Sequence, residues 1–152
     1  DSSIIRFSPP SLTIPSVGQT GLVYVTVDEV TSLNAANFVV TYDPSIIEAV
    51  TVLTMADGYL FDVDDGLFLA LPTVIDSVAG TIEVGMGITG IDGVSGSGIL
   101  AGITFRGKQA GTSTLTFIDN DQQHPVLNRS TQSGVPEEIP VLSYTASVTV
   151  NP

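Results

Sequence analysis

The sequence predicts an all-β protein: an antiparallel two-sheet β-sandwich, jelly-roll-like, of about nine strands. Three observations predict it. Segments rich in Val, Ile, Thr, Phe and Tyr recur along the 152 residues, Gly, Pro, Asn, Asp and Ser separate them, and no window of about a dozen residues carries a period of 3.6. Many short strands with turn signals between them read as two packed sheets. The length fits one domain, residues 1–152, large enough to bury a core without disulfides or metals.

In chain order, strands are expected at residues 4–7, 12–14 and 21–28. In the last of these (GLVYVTVD), Leu22, Tyr24 and Thr26 share one face and Val23, Val25 and Val27 the other. Residues 37–42 (NFVVTY) alternate in the same way, with Phe38, Val40 and Tyr42 inward and Asn37, Val39 and Thr41 outward. Asp43-Pro44 then starts a turn, because Asp hydrogen-bonds forward and Pro presets φ, and Ile46-Ile47 return the chain to the core in a strand at 47–53. A strand at 66–71 (GLFLAL) precedes residues 81–88 (TIEVGMGI), the clearest period of two. There Ile82, Val84, Met86 and Ile88 face inward, and Thr81, Glu83, Gly85 and Gly87 leave nearly bare backbone outside. Further strands are expected at 98–107, 112–118 and 141–150. Residues 90–98 (GIDGVSGSG) read as a flexible connection. Residues 119–140, with His124, Pro125, Pro136, Glu137, Glu138 and Pro140, read as a long surface loop.

Composition excludes several classes. Sixteen acidic against four basic residues give a net charge of -12, so a nucleic acid or an anionic membrane surface would be repelled. Only 13% of residues are charged and 43% are hydrophobic, too apolar for a disordered chain. The apolar runs fall far short of the ~20 residues a spanning helix needs, so no membrane insertion is expected. No positively charged, then apolar, stretch opens the chain, so Asp1 is read as the start of a mature or excised piece. The absence of cysteine removes disulfides, thiolate nucleophiles and zinc–thiolate sites.

Catalytic constellations are hard to assemble. The one histidine, His124, sits in a Pro-flanked stretch and reads as a solvated loop residue, and no Gly-x-Ser-x-Gly elbow exists, so a hydrolase triad has no parts. Residues 85–90 spell G-x-G-x-x-G, but inside or at the end of a strand with no helix to follow, where the motif cannot cradle a pyrophosphate. Asp62, Asp64 and Asp65 have a calcium-loop composition, but the Gly of an EF-hand comes one place early. Asp119-Asn120-Asp121 lacks it altogether, so both read as solvated turns. No acid pair is marked out by spacing as a glycosidase dyad. A sugar-binding surface would stack glycans on exposed aromatics such as Tyr59 or Tyr144, but the chain has no Trp. Asn128-Arg129-Ser130 is a glycosylation sequon, consistent with an exposed loop. For want of a base, a nucleophile or a metal set, no enzyme is expected.

Residues 30–50 (VTSLNAANFVVTYDPSIIEAV) resemble the most recognisable stretch of cohesin modules, the receptor domains of cellulosomal scaffoldins, with Leu33, Phe38, Val40, Tyr42, Asp43, Pro44, Ile47 and Glu48 at the matching places. Residues 80–84 with 98–108, then 111–117 and 148–150, are similar to the following strands of that family, in order and at suitable spacing. Tyr-Asp-Pro is fully explained as a turn, so it argues for fold and not for binding.

The resemblance implies a non-catalytic module, on a secreted or cell-surface protein, that binds dockerins through one sheet face. Dockerins are small helical modules folded around Ca²⁺, so the implied calcium belongs to the partner and the module itself takes no cofactor. A monomer is expected. The strands implied for the contact face lie at about 34–41, 66–71, 81–88 and 112–119, and their outward positions are Ala35, Asn37, Val39, Leu71, Glu83, Gly85 and Gly87, with Thr114 and Thr116. Asn37 stands where well-studied cohesins often carry an Asp or Asn that hydrogen-bonds a dockerin helix. Glu83, Gly85 and Gly87 stand where larger apolar residues are common. A flat face with Val39 and Leu71 at its centre is expected to receive a helix. Carbohydrate binding, or a role as structural or adhesion spacer, are the alternatives.

Overall fold

The computed structural model describes residues 3–129 and 137–152, which form strands, turns and loops without a helix. Thirteen strands replace the expected nine or so: β1 (Ser3–Ser8), β2 (Ser11–Ile14), β3 (Thr20–Thr41), β4 (Ile47–Leu53), β5 (Leu67–Ala70), β6 (Val74–Asp76), β7 (Thr81–Thr89), β8 (Val94–Gly107), β9 (Gly111–Phe117), β10 (Val126–Arg129), β11 (Glu137–Ile139), β12 (Val141–Ser143) and β13 (Ala146–Val150). The arrangement is a β-sandwich but not wholly antiparallel, since β1 pairs in parallel with β12, and β2 with β13.

The organising element is β3, 22 residues that serve both layers. Its first half pairs with β1 on one side and β8 on the other, and β4 extends that layer beyond β8. Its second half pairs with β7 on one side and with β10, then β9, on the other. The change of layer occurs at Glu29 and Ser32, where φ is 58° and 54° and the register to β8 shifts. Such backbone costs energy and opens ladder hydrogen bonds. Here two serines of β8 repair the ladder: Glu29 N–H donates to Ser97 Oγ and Ser32 N–H to Ser95 Oγ, both at 3.0 Å. This corrects the reading of 90–98 as a flexible connection. Its second half is strand, and its serines cap the bend while Gly93, at φ 134°, lies directly against the Ser32 backbone.

Inward side chains of the two layers meet in one core. Val23, Val25, Val27, Ile103 and Phe105 are fully buried from one side, and Val40, Ile82 and Leu127 from the other. Phe7 of β1 stacks on Phe117 of β9 at 4.3 Å, and Phe38 meets the same ring edge-on at 5.8 Å, which ties the layers together. The Tyr42 turn forms as expected. Asp43 Oδ1 accepts from Ser45 N–H at 2.9 Å and from Ser45 Oγ at 2.6 Å, bonds that hold the carboxyl below the usual carboxylate range. Tyr42 N–H donates to Gly80 O at 2.9 Å, closing the neck of the turn.

The expected loop at 119–140 is instead interrupted by two strands. Residues 126–129 pair with β3 and 137–139 pair with β10, and each plants one apolar side chain, Leu127 or Ile139, in the core. Pro136 and the sequon's Ser130 lie outside the described residues. Asn128 is half-buried in β10, not in an exposed loop.

Candidate partner-binding face

The register of β10, β3, β7, β5 and β6 arranges the outward residues of the second layer in rows. One row runs Asn128, Ala35, Gly87, Leu69. The next runs Val126, Asn37, Gly85 and then Leu71, whose N–H donates to Gly85 O at 2.9 Å. A third runs Val39, Glu83, Val74, and a fourth Thr116, Thr41, Thr81, Asp76, with the hydroxyls of Thr41 and Thr116 in contact. Eight of the nine residues expected from the sequence therefore share one continuous face. Thr114 lies on the same side of β9 as Thr116 but beyond the end of the β3–β9 contact, where it pairs with Ser147 of β13.

The face is not flat, and two expectations fail for that reason. Val39 points outward yet is only 8% exposed, so it is a floor residue and not a protruding anchor. Gly85 presents no bare backbone. A Cβ built there would lie 2.5 Å from Asn37 Oδ1 and 2.8 Å from Leu71 Cδ1, so both side chains lean over the glycine and bury it. Leu71, 63% exposed, rises at the edge of the face and not at its centre.

What results is a furrow of about 440 Å³. Its floor is Asn37, Val39, Glu83 and Gly85, one bank is Leu71, Pro72 and Val74, and the other is Gln122, Gln123, His124 and Val126. The second bank is held in shape by Asn120 Oδ1, which accepts from the N–H groups of Gln122 and Gln123, and by His124 Nε2, 3.1 Å from Glu138 Oε2. His124 is thus a solvent-accessible loop residue, as its sequence context indicated, and it also has a partner and lines the wall of the furrow.

Beside the furrow, Leu67, Leu69, Leu71 and Val74 form an apolar stripe along the edge of the layer, each more than half exposed. Only Leu71 was expected there. The period of two in GLFLAL carried the signal for Leu67 and Leu69, whereas nothing in the sequence marks residues 122–126 as a bank.

Other candidate chemistry does not converge on this face. Asp62 Oδ2 accepts from Gly58 N–H at 3.0 Å as a turn residue, and no cluster of three or more His, Cys, Asp or Glu is placed to hold a metal ion among the described residues. Tyr59, expected to be exposed, is buried edge-on to Tyr24 with its hydroxyl over Gly102, and that burial pushes its phenol up. Gly85 and Gly87 sit inside β7.

Comparison with known proteins agrees with this architecture. The model of the cohesin domain family matches residues 7–138. Among solved structures, the chain is similar to a non-cellulosomal cohesin from the hyperthermophilic archaeon Archaeoglobus fulgidus, with 18% identity over 100% of this chain and 93% of that one and a TM-score of 0.71. It is also similar to a type II cohesin domain from the cellulosome of Acetivibrio cellulolyticus, with 18% identity, 97% and 95% coverage and a TM-score of 0.72. A third similar chain comes from a type II cohesin–X–dockerin complex of Acetivibrio cellulolyticus, with 17% identity, 99% and 100% coverage and a TM-score of 0.74. No curated protein matches the sequence. With its sandwich, its ordered strand motifs and a family match over most of its length, the chain belongs to the cohesin family of non-catalytic protein-interaction modules.

Proposed function

We propose that this chain is the receptor half of a cohesin–dockerin pair, and that the furrowed face of β3, β5, β7 and β10 is where the dockerin docks. The observation that carries the reading is the leucine stripe beside the furrow: four large apolar side chains, each more than half exposed, next to an Asn amide and a Glu carboxylate with no hydrogen-bond partner among the described residues. Apolar anchors bordered by exposed polar groups that have no protein partner among the described residues fit an amphipathic helix laid along the edge of the layer, with the stripe supplying affinity and Asn37 the register. The relative that crystallised in a dockerin complex supports the same partner class. In this reading the module acts as a monomer on a secreted or cell-surface protein, and the calcium belongs to the dockerin.

Calorimetry of the module against a broad panel of calcium-loaded dockerins tests the proposal. Binding to at least one is expected, abolished by EGTA while the module's own melting curve stays unchanged. Silence across the panel, or binding that persists in EGTA, would refute it.

A further inference from the structure

We infer that the furrow is a socket for one cationic side chain, a lysine or arginine carried on the partner's docking helix, with Glu83 as its counter-charge. The inference rests on the dockerin-binding reading and specifies what that partner must carry.

Glu83 is flanked in its row by Val39 and Val74, so its carboxylate stands between two apolar side chains. It has no hydrogen bond or ion pair among the described residues. The chain's own cations are engaged away from the furrow: Arg6 with Asp28 at 3.0 Å, Arg106 with Glu48 at 2.9 Å, Lys108 with Pro44 O at 2.7 Å and Arg129 with Glu137 at 3.3 Å. His124, the one titratable group on the bank that could turn positive, faces Glu138. A helix covering the face would strip water from Glu83 and leave it a desolvated, unpaired charge unless the helix brought the opposite one. The apolar bank of Pro72 and Val74, with Val39 on the floor beside it, suits a long aliphatic stem with its charged head at the carboxylate. A net charge of -12 also draws a basic surface toward the module during encounter.

The test uses the dockerin that binds most tightly in the panel, measured by calorimetry at low and high salt against the wild type, Glu83→Gln and Glu83→Lys. Glu83→Gln should weaken binding about 5- to 20-fold and flatten the salt dependence, and Glu83→Lys should weaken it about 100-fold or more. Replacing the dockerin's helix Lys and Arg residues by Glu one at a time should identify one change that weakens wild-type binding and restores binding to Glu83→Lys. Unchanged affinity and salt dependence in Glu83→Gln, or no restoring partner residue, would overturn the socket while leaving dockerin binding intact. A panel with no binder would overturn both. Sedimentation of the module alone supplies a further check: a dimer dispersed by Glu83→Lys would mean that a second copy fills the furrow, and would also overturn the inference.

Discussion

Replacing Leu71 by alanine separates binding from folding, and the exposures set both magnitudes. Burying a whole leucine side chain is worth roughly 1.5–3 kcal/mol. With 63% of Leu71 open, a partner that covers it gains about 1–2 kcal/mol from this residue. Leu71→Ala should therefore raise the dissociation constant about 5- to 30-fold. The smaller, already covered part limits the cost to the fold to about 0.5–1 kcal/mol, a fall in melting temperature of roughly 1–4 °C. Leu127→Ala is the matched control. Leu127 sits on β10 in the same layer but points inward with no exposure, so its truncation should cost about 2–5 kcal/mol of stability. Calorimetry against a binding dockerin and thermal melts of both variants decide the matter. If Leu71→Ala binds like the wild type, or melts as low as Leu127→Ala, the stripe does not anchor the partner.

Gly85→Ala should leave the fold within about 1 kcal/mol, because the new methyl meets only the ends of two flexible side chains, yet weaken binding about tenfold by pushing Asn37 and Leu71 out of place; calorimetry and melting on one sample check both. Gly80→Ala should lower the melting temperature by roughly 5–15 °C, since Gly80 has φ 78° and a methyl there would strike the Tyr42 carbonyl and the Pro44 ring. Asp43 titrates below its unfolded value when folded, so its contribution is present above about pH 4 and is lost as the pH falls through the folded value. Denaturant melts from pH 7 to pH 2 should show a smaller acid-induced loss in Ser45→Ala, which lacks the hydroxyl that lowers the carboxyl.

The strands legible in the sequence were those whose side chains alternate. The inward set Ile82, Val84, Met86 and Ile88 is buried throughout, and Phe38, Val40 and Tyr42 likewise. Such strands advertise themselves because one face must be apolar. β10 and β11 did not, for each needs just one buried side chain, and their remaining stabilisation is backbone pairing, to which any residue but proline contributes. The parallel pairings of β1 with β12 and β2 with β13 join opposite ends of the chain and leave no local mark. At the face, alternation gave the side on which Asn37, Val39 and Glu83 lie. It could not give the bank at 122–126, whose position depends on Asn120 and on the contact of His124 with Glu138. That bank turns Val39 from an anchor into a floor, so a Val39→Asp variant would probe stability as much as binding.

The parallel pairing of the terminal strands has a mechanical consequence. When the molecule is pulled by handles placed before Ser3 and after Val150, β1 and β2 are drawn toward their starts and β12 and β13 toward their ends. Because partners run the same way, the load drives them past each other, and every rung of each ladder stretches together instead of parting one by one. A module strung between a tether and a cargo would on this account fail late and abruptly under tension, with its lifetime set by the unfolding rate and not by equilibrium stability.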